Sequence, residues 1–346
     1  MSDGAAGSVA GVRAGPVTDW FAAHVPGARP PLAFTAVAGG QSNLTYLVTD
    51  QAGARFVLRR PPLAGVLPTA HDMAREHAII SALRGTEVPV PRAYGLCADE
   101  SVNGAPFYVM EHVDGVVPRD EATVAATLDL AARAAASRAL VDVLVALHGV
   151  DPEAVGLGRL GRGHGYVERQ LARWWRQWEQ SRTRELPLIA EVHRRLAAKV
   201  PAQDRVAIVH GDYRLDNLVL SPAGEVRAVL DWELCTLGDP MADLGLLLVY
   251  WSEAGDETLP LGTAPTRLPG FSSRAELAAA YAGQAGRSID QLDFFVALGY
   301  WKLAVILEGV YARSAAGAYG RDDQGWRALP QVVERLAELA LAAAPR

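Results

Sequence analysis

The segment Val209–Leu220 reads VHGDYRLDNLVL, and it is polar in the middle although its apolar ends predict burial. Its polar side chains follow a pattern, because Asp212 and Asn217 lie five positions apart. A second apolar run ends on Asp231, fourteen residues after Asn217. We interpret the two apolar runs as short strands joined by a turn, which predicts that Asp231 lies beside Asn217.

A carboxylate and an amide oxygen that lie close together suit Mg²⁺, which takes oxygen ligands and keeps some of its waters. Asn217 and Asp231 are therefore the candidate metal ligands. Asp212 remains free to orient a hydroxyl nucleophile and to accept its proton. A loop of the form HxDxxxxN with a metal-binding Asp downstream is the arrangement used for phosphoryl transfer in kinases.

The N-terminal third of the chain supplies residues that could hold a nucleotide. A short loop lies between two predicted strands, and its glycines let backbone amides approach phosphates closely. It consists of Gly39, Gly40, Gln41, Ser42 and Asn43. Arg59 lies on the next strand, and Glu76 lies on the helix that follows. A cation on this strand paired with a helix Glu is the device by which kinases hold the donor phosphates.

These motifs resemble a known family. HGDYRLDN and LDWE, preceded by GGQSNLTY, FVLRRPP and REHAIISAL, are similar to the aminoglycoside phosphotransferase and choline kinase family. Within it, the resemblance is greatest to the kinase-like domains associated with acyl-CoA dehydrogenases and to their stand-alone bacterial relatives. The resemblance extends from about Phe34 to Arg313. It implies a phosphotransferase that uses ATP and Mg²⁺.

The resemblance also assigns roles to single residues. Asp212 matches the catalytic Asp, and Asn217 and Asp231 match the metal ligands. Glu76 matches the helix Glu. The family usually has Lys where this chain has Arg59, although Arg is frequent in the dehydrogenase-associated branch. Because a guanidinium is a permanently charged planar fork, it can still bind phosphate, but it cannot place a point charge as Lys does.

The segment Tyr108–His112 matches the connection between the lobes of the family fold, where backbone groups meet adenine. We therefore expect the nucleotide base near the backbone of Glu111 and Val113. The predicted fold class is α+β, a two-lobed protein-kinase-like fold with a small N-terminal antiparallel sheet lobe and a larger, mainly helical C-terminal lobe. The predicted boundaries are a disordered tail at 1–16, a nucleotide-binding lobe at 17–112 and a catalytic and substrate lobe at 113–346.

Composition excludes several classes of function. The formal net charge of −6 argues against a nucleic-acid partner. The two cysteines, Cys97 and Cys235, lie far apart and form no CxxC motif, which favours a reducing cytoplasm over a disulfide scaffold or a zinc site. No window approaches eighteen consecutive apolar residues, so we expect no membrane partner. The sequence leaves the oligomeric state open.

The predicted reaction is transfer of the γ-phosphoryl group of ATP to a hydroxyl group of a small molecule. The Trp, Arg and Lys content of the helical lobe favours an acceptor less cationic than an aminoglycoside, and the resemblance to dehydrogenase-associated domains implies a hydroxyacyl compound. The alternatives are an aminoglycoside or other antibiotic acceptor, a nucleotide-binding pseudokinase in which Arg59 replaces the usual Lys, and a Mg²⁺-dependent phosphohydrolase. The sequence does not decide between ATP and GTP as donor. A protein acceptor is disfavoured because LGDPMADLG follows LDWE directly, where protein kinases carry an activation segment.

Several other polar residues have structural interpretations. We interpret Asp216 and Asp239 as turn or loop residues and Asp243 as a structural acid at the start of a helix, where it could tether the catalytic loop. Three tryptophans of one predicted helix, at positions 174, 175 and 178, are assigned to the core. Lys302 lies on a largely apolar helix, where it could contact an anionic substrate, form an ion pair or extend toward solvent.

Overall fold

The computed structural model describes residues 9–37, 43–63, 72–257, 263–317 and 325–345 of the 346-residue chain. Its contacts divide the chain into two compact units. The first comprises the chain up to Asp114 together with Arg227–Glu233, and the second comprises Gly115–Val226 and the chain from Leu234 onward. The predicted class is confirmed, since an antiparallel sheet forms the N-terminal part and helices dominate the C-terminal part.

The first unit contains the elements α1 (Ala14–His24), β1 (Leu32–Ala36), β2 (Leu44–Asp50), β3 (Arg55–Arg60), α2 (Met73–Leu83), β4 (Ala93–Cys97), α3 (Glu100–Asn103) and β5 (Phe107–Glu111). Its strands form one five-stranded antiparallel sheet with the order β1-β2-β3-β5-β4. The side chain of Asp72 caps α2 by accepting a hydrogen bond from the backbone of Arg75 at 2.9 Å. The cap places Glu76 in the first turn of this helix.

The chain before Val17, which the sequence analysis assigned to a disordered tail, is structured from residue 9 onward. Helix α1 begins at Ala14, and the hydroxyl of Tyr46 donates a hydrogen bond to the carbonyl of Ala10 at 2.7 Å. The backbone of Arg13 donates to the side chain of Asn103 at 2.9 Å. Polar and small residues in this segment concealed the order, because its partners lie elsewhere in the sheet unit.

The second unit is mainly helical. Its helices are α4 (Glu121–Thr127), α5 (Leu130–Gly149), α6 (Tyr166–Ser181), α7 (Pro187–Ala198), α8 (Met241–Tyr250), α9 (Arg274–Ala285), α10 (Leu292–Ala315) and α11 (Leu329–Ala343). Its short strands are β6 (Ala207–Val209), β7 (Leu218–Leu220) and β9 (Thr236–Gly238), of which β6 and β9 pair in antiparallel fashion. Strand β8 (Val226–Val229) follows β7 in the chain.

Helix α10 is long and apolar enough, by length and composition, to cross a membrane. In this structure 61% of its most apolar window is buried, and it packs against α6, α7, α8 and α11. That packing is typical of the central helix of a helical domain. Trp174 and Trp178 of α6 are buried, as core residues should be, whereas Trp175 is partly exposed and stacks on His193 at 4.5 Å.

Candidate active site

In the first unit, Arg59 of β3 binds Asp231 more closely than it binds Glu76. Its Nη2 donates a hydrogen bond to Oδ1 of Asp231 at 2.9 Å, whereas its Nη1 lies 3.6 Å from Oε2 of Glu76. The Arg59 side chain is 8% exposed, and its buried Nε has no hydrogen-bond partner among the described residues. The structure thus brings together three residues that the sequence singled out, although the strongest bond is not the one that kinases suggest.

Glu76 is a buried acceptor for neutral donors. Its Oε1 accepts a hydrogen bond from Nδ2 of Asn43 at 2.8 Å, and its Oε2 accepts one from the hydroxyl of Tyr108 at 3.0 Å. Burial raises the pKa of Glu76, while the charge of Arg59 and the bond from Tyr108 act in the opposite direction. The helix acid is therefore held in place by a residue of β5 and by the residue that precedes β2.

The guanidinium of Arg59 is a fixed positive charge. Burial alone would lower its pKa, but Tyr108, Glu76 and Asp231 outweigh burial and raise the pKa above its usual value. A buried, permanently charged fork with one unused nitrogen is suited to binding an anion such as a phosphate. The electrostatics of this cluster fit the nucleotide-binding role that the motif predicts.

Asn43 joins the predicted phosphate loop to the LDWE segment. Its Nδ2 also donates to Oε2 of Glu233 at 3.1 Å, and the carbonyl of Glu233 accepts a bond from Nη1 of Arg75 at 3.4 Å. The other members of the predicted loop, Gly39, Gly40, Gln41 and Ser42, lie outside the described residues. Their contact with phosphate stays a prediction.

The backbone of Asp231 is unusual. It has φ of 65°, the only positive φ of a non-glycine residue in the described part of the chain. Asp tolerates this left-handed conformation better than most residues, but the conformation is still uncommon and concentrates at functional sites. In this conformation, Oδ1 of the Asp231 carboxylate binds Arg59, and Oδ2 accepts no hydrogen bond from any described residue.

In the second unit, Asp212 and Asn217 are tied into one loop. Nδ2 of Asn217 donates to the carbonyl of Asp212 at 2.8 Å and to Oδ2 of the same residue at 3.0 Å. A short 3₁₀ turn at Leu215–Asn217 holds the amide at this spacing. Because both bonds use the nitrogen of Asn217, its oxygen accepts none within the described residues and is available to a cation.

Two candidate ligands each keep an oxygen available to a cation. Oδ2 of Asp231 and the amide oxygen of Asn217 accept no hydrogen bond from any described residue. Mg²⁺ is commonly bound through one or two carboxylates, while waters and substrate phosphates complete its shell. The assignment of Asn217 and Asp231 as ligands of one ion remains a prediction.

The backbone of the catalytic loop is anchored by Asp243, at the start of α8. Its Oδ2 accepts a hydrogen bond from the backbone of His210 at 2.7 Å, and its Oδ1 accepts one from the backbone of Gly211 at 2.8 Å. His148 lies at 3.3 Å from Oδ2. Burial opposes ionisation, but His148, His210 and the Gly211 amide outweigh it and lower the pKa of Asp243. This acid therefore holds the loop.

Arg214 lies beside the proposed catalytic carboxylate. Its Nη2 is 2.9 Å from Oδ2 of Asp216, and its Nε is 3.5 Å from Oδ2 of Asp212. The guanidinium carbon lies 4.7 Å from the ring centroid of Tyr250. Burial raises the pKa of Asp216, which the charge of Arg214 opposes. The surroundings of Asp212 in this unit therefore include a cation, a second carboxylate and an aromatic ring.

The predicted adenine-binding segment is placed at the end of β5. Glu111 is the last residue of the strand and is exposed, and its backbone donates to the carbonyl of Arg92 at 2.8 Å. Val113, two residues later, is partly buried. The structure gives their positions, and their contact with a base stays a prediction.

Sequence reasoning overlooked two side chains of this site. Tyr108 was assigned only through its backbone, although its hydroxyl binds Glu76, and Glu233 was treated only as part of LDWE. A weak signal existed for Tyr108, because it is the one hydroxyl in the apolar strand FYVM. Buried hydroxyls need partners, so such a residue predicts a polar neighbour.

Comparison with known proteins places the chain in a family. The model of the phosphotransferase enzyme family matches residues 33–295. Acyl-CoA dehydrogenase family member 11 of Rattus norvegicus is 36% identical over 92% of the chain, and family member 10 of Mus musculus is 38% identical over 80%. The chain spans only 41% and 26% of the lengths of these two relatives.

Solved structures agree with this placement. A crystal structure from Ralstonia eutropha, provisionally named an aminoglycoside phosphotransferase, is 34% identical with a TM-score of 0.80, covering 95% of this chain and 97% of that one. Aminoglycoside 2′-phosphotransferase-IIIa, solved with GDP, shares the fold at 14% identity, with a TM-score of 0.61 over 93% of this chain and 96% of its own. The chain belongs to the phosphotransferase enzyme family.

Proposed function

We propose that this chain transfers the γ-phosphoryl group of ATP to a hydroxyl group of a small molecule in a reaction that requires Mg²⁺. The bond network of Asp212 and Asn217 is the observation that carries the proposal, because it holds a carboxylate and a free amide oxygen on one rigid loop. Membership of the phosphotransferase family supports the reaction type.

Each residue has a separate task in the proposed reaction. The acceptor oxygen forms a bond to the γ-phosphorus, the bond from that phosphorus to the β-bridging oxygen breaks, and Asp212 accepts the hydroxyl proton. Arg59 binds the donor phosphates, and the motif assigns Asn217 and Asp231 as metal ligands. Bound Mg²⁺ neutralises charge shared by the β- and γ-phosphates. Because this transition state is loose, positioning and electrostatics supply most of the catalysis.

For the acceptor we propose a hydroxyacyl compound. In the second unit, Arg214 lies 3.5 Å from Asp212 and over the ring of Tyr250, and Lys302, whose charge interacts with Asp212, lies 5.5 Å from the ring centroid of Trp174. A polyamine antibiotic calls for clustered carboxylates, whereas an anionic or neutral acyl compound suits these groups. The similarity to proteins named as acyl-CoA dehydrogenase family members supports the same class.

A pseudokinase is the second candidate, and one observation favours it. Arg59 is bonded to Asp231, the proposed metal ligand, so that a cation and a guanidinium would compete for one carboxylate oxygen. If the bond between Arg59 and Asp231 persisted when nucleotide was bound, the protein would bind nucleotide without transferring its phosphoryl group. The unbonded Oδ2 of Asp231 favours the active enzyme, because it leaves one oxygen for the metal.

The two candidates are separated by a screen of nucleotide consumption. ATP or GTP, with Mg²⁺ or with a chelator, is incubated with hydroxylated metabolites, hydroxyacyl-CoAs and antibiotics, and products are identified by mass spectrometry. A phosphorylated hydroxyacyl product that disappears with chelator supports the proposal. A phosphorylated antibiotic would replace the acceptor class, free phosphate alone would indicate a hydrolase, and nucleotide binding without turnover in every mixture would establish the pseudokinase.

A further inference from the structure

Lysine is rare in this chain, which gives its two lysines particular interest. The sequence has 33 basic Lys and Arg residues, of which only Lys199 and Lys302 are lysines. Lys199 is exposed after α7, whereas Lys302 is partly buried in the middle of α10. Lys302 is therefore an unusual residue type at a partly buried position of the helical unit.

Lys302 contacts the residue that precedes Asp212. Its Nζ donates a hydrogen bond to the carbonyl of Gly211 at 3.0 Å, and it lies 5.5 Å from the ring centroid of Trp174. The backbone nitrogen of the same glycine donates to Oδ1 of Asp243 at 2.8 Å. Gly211 is therefore held on both sides, its N–H by a carboxylate and its carbonyl by an ammonium.

Only glycine fits at position 211 without strain. Gly211 has φ of +84°, and a Cβ built on it would lie 2.8 Å from the carbonyl oxygen of Leu234. The peptide that joins Gly211 to Asp212 is thus fixed by its backbone conformation and by the bond from Lys302. Because Asp212 follows directly, this peptide fixes the backbone position from which the Asp212 carboxylate extends.

The space around Lys302 favours contact with the loop over contact with an acceptor. The adjoining cavity, lined by Tyr166, Gln170 and Trp174 among others, is partly open to solvent, and the centre of a water molecule can occupy only about 20 Å³ of it. Burial lowers the pKa of Lys302, whereas the carboxylates of Asp212 and Asp243 raise it and Arg173 lowers it further. The ammonium is thus desolvated and directed at the loop.

We propose that Lys302 is a positioning residue for phosphoryl transfer, holding the Gly211–Asp212 peptide so that the carboxylate of Asp212 meets the acceptor hydroxyl. This inference rests on the proposed function. Lys302 and Asp243 together form what we call a clamp on Gly211. Asp243 binds the N–H of Gly211, and Lys302 binds its carbonyl. A compact ammonium suits the task because it donates to one carbonyl in a space of this size, whereas a planar guanidinium needs more room.

The first test compares Lys302→Met with Lys199→Met, since both remove one lysine charge and only one touches the loop. We expect Lys302→Met to lower kcat by about ten- to hundred-fold, the effect of losing one charge-assisted hydrogen bond. The dissociation constant for Mg²⁺ and a non-hydrolysable ATP analogue should stay within about twofold of the parent. Lys199→Met should match the parent in both. An unchanged kcat in Lys302→Met, or nucleotide affinity that falls in parallel with kcat, would overturn the proposal.

The second test needs no acceptor, so it remains informative if the proposed function fails. Protein labelled with ¹³Cε-lysine gives two lysine signals, and Lys199→Met identifies the one from Lys302. We expect that signal to titrate below the usual lysine pKa of about 10.4, and to titrate lower still in Asp212→Asn, because the nearby carboxylate is lost. A Lys302 signal that titrates in the usual range, or that ignores Asp212→Asn, would contradict the buried position beside Asp212 on which the proposal rests.

Discussion

Nη2 of Arg59 donates a hydrogen bond to Oδ1 of Asp231 at 2.9 Å, across 172 positions of sequence. The first residue is the proposed phosphate-binding cation and the second is a proposed metal ligand. Nucleotide and Mg²⁺ would therefore have to share or replace a bond that already exists within the first unit. This relationship makes the two residues interdependent, and the first two predictions follow from it.

Arg59→Lys should impair the enzyme, although it keeps the charge. The guanidinium spans Asp231 at 2.9 Å and Glu76 at 3.6 Å, and a lysine ammonium is a point donor that would lose one of them. Loss of one charge-assisted hydrogen bond costs about 1.5–3 kcal/mol, equivalent to about a ten- to hundred-fold fall in kcat/KM. Steady-state kinetics check it, and a Lys variant as fast as the parent or faster would mean that Arg59 either does not bind the phosphates or is a handicap, which would favour the pseudokinase.

Asp231→Asn should weaken Mg²⁺-dependent nucleotide binding by at least about tenfold, as even indirect partners of metal sites have effects of about 10–100-fold. Asn is chosen because it tolerates the left-handed φ of 65° at this position, so the charge alone is removed. Calorimetry with and without Mg²⁺ measures the effect. A structure with an ATP analogue should place Asn217 and Asp231 oxygens about 2.0–2.1 Å from the ion; a metal at Asp239 and Asp243 would contradict the assignment.

Asp212→Asn should nearly abolish phosphoryl transfer while nucleotide binding survives. The amide cannot accept the hydroxyl proton, and positioned general bases contribute about 10²-fold or more. Asp216→Asn is the matched control, since it changes a second carboxylate of the same turn, one that is paired with Arg214. The control should retain most of the kcat. If Asp212→Asn kept more than about a tenth of the parental rate, the proton-accepting role would be wrong.

Asp243→Asn should destabilise the protein at neutral pH by about 3–5 kcal/mol, the usual effect of breaking a buried charged pair. One of the two loop amides would face the NH₂ group of Asn instead of an oxygen. The folded-state pKa of Asp243 is depressed, so its contribution is present above the unfolded pKa of about 3.9 and is lost as pH falls through the folded value. Denaturant unfolding at several pH values should show parent and variant converging in acid.

Glu308→Ala should also destabilise the second unit, without a direct role in chemistry. This fully buried acid of α10 accepts bonds from the backbone and hydroxyl of Thr183 at 2.8 and 2.7 Å and from Arg184 at 2.8 Å. Its removal leaves these donors unpaired, and we expect a loss of about 3–5 kcal/mol in the free energy of unfolding. Glu338→Ala, which breaks an exposed pair with Arg335, should cost less than about 1 kcal/mol. Equal effects would contradict this account.

Local sequence determined the elements that hold the site. Arg59 lies on a strand, β3 at Arg55–Arg60, and Glu76 lies on the following helix, α2 at Met73–Leu83, as the sequence predicted, because alternation, helical spacing and turn residues act over a few positions. The spacing of Asp212 and Asn217 likewise fixed a loop whose hydrogen bonds span five residues. These features depend on residues that are close in sequence, so they can be predicted from the sequence alone.

Tertiary structure decided which partner each charged residue has. The kinase pattern predicted that Arg59 pairs with Glu76, and the two lie 3.6 Å apart. The sequence did not show that Tyr108 and Asn43 also bond to that acid, or that the turn at Asp231 brings a second carboxylate to the guanidinium. Buried polar groups need hydrogen-bond partners, and the same set of residues can be paired in several ways that provide them. Only the packing of elements distant in sequence selects one of these pairings. It pairs Asp231 with Arg59, and it pairs Lys302 with the carbonyl of Gly211.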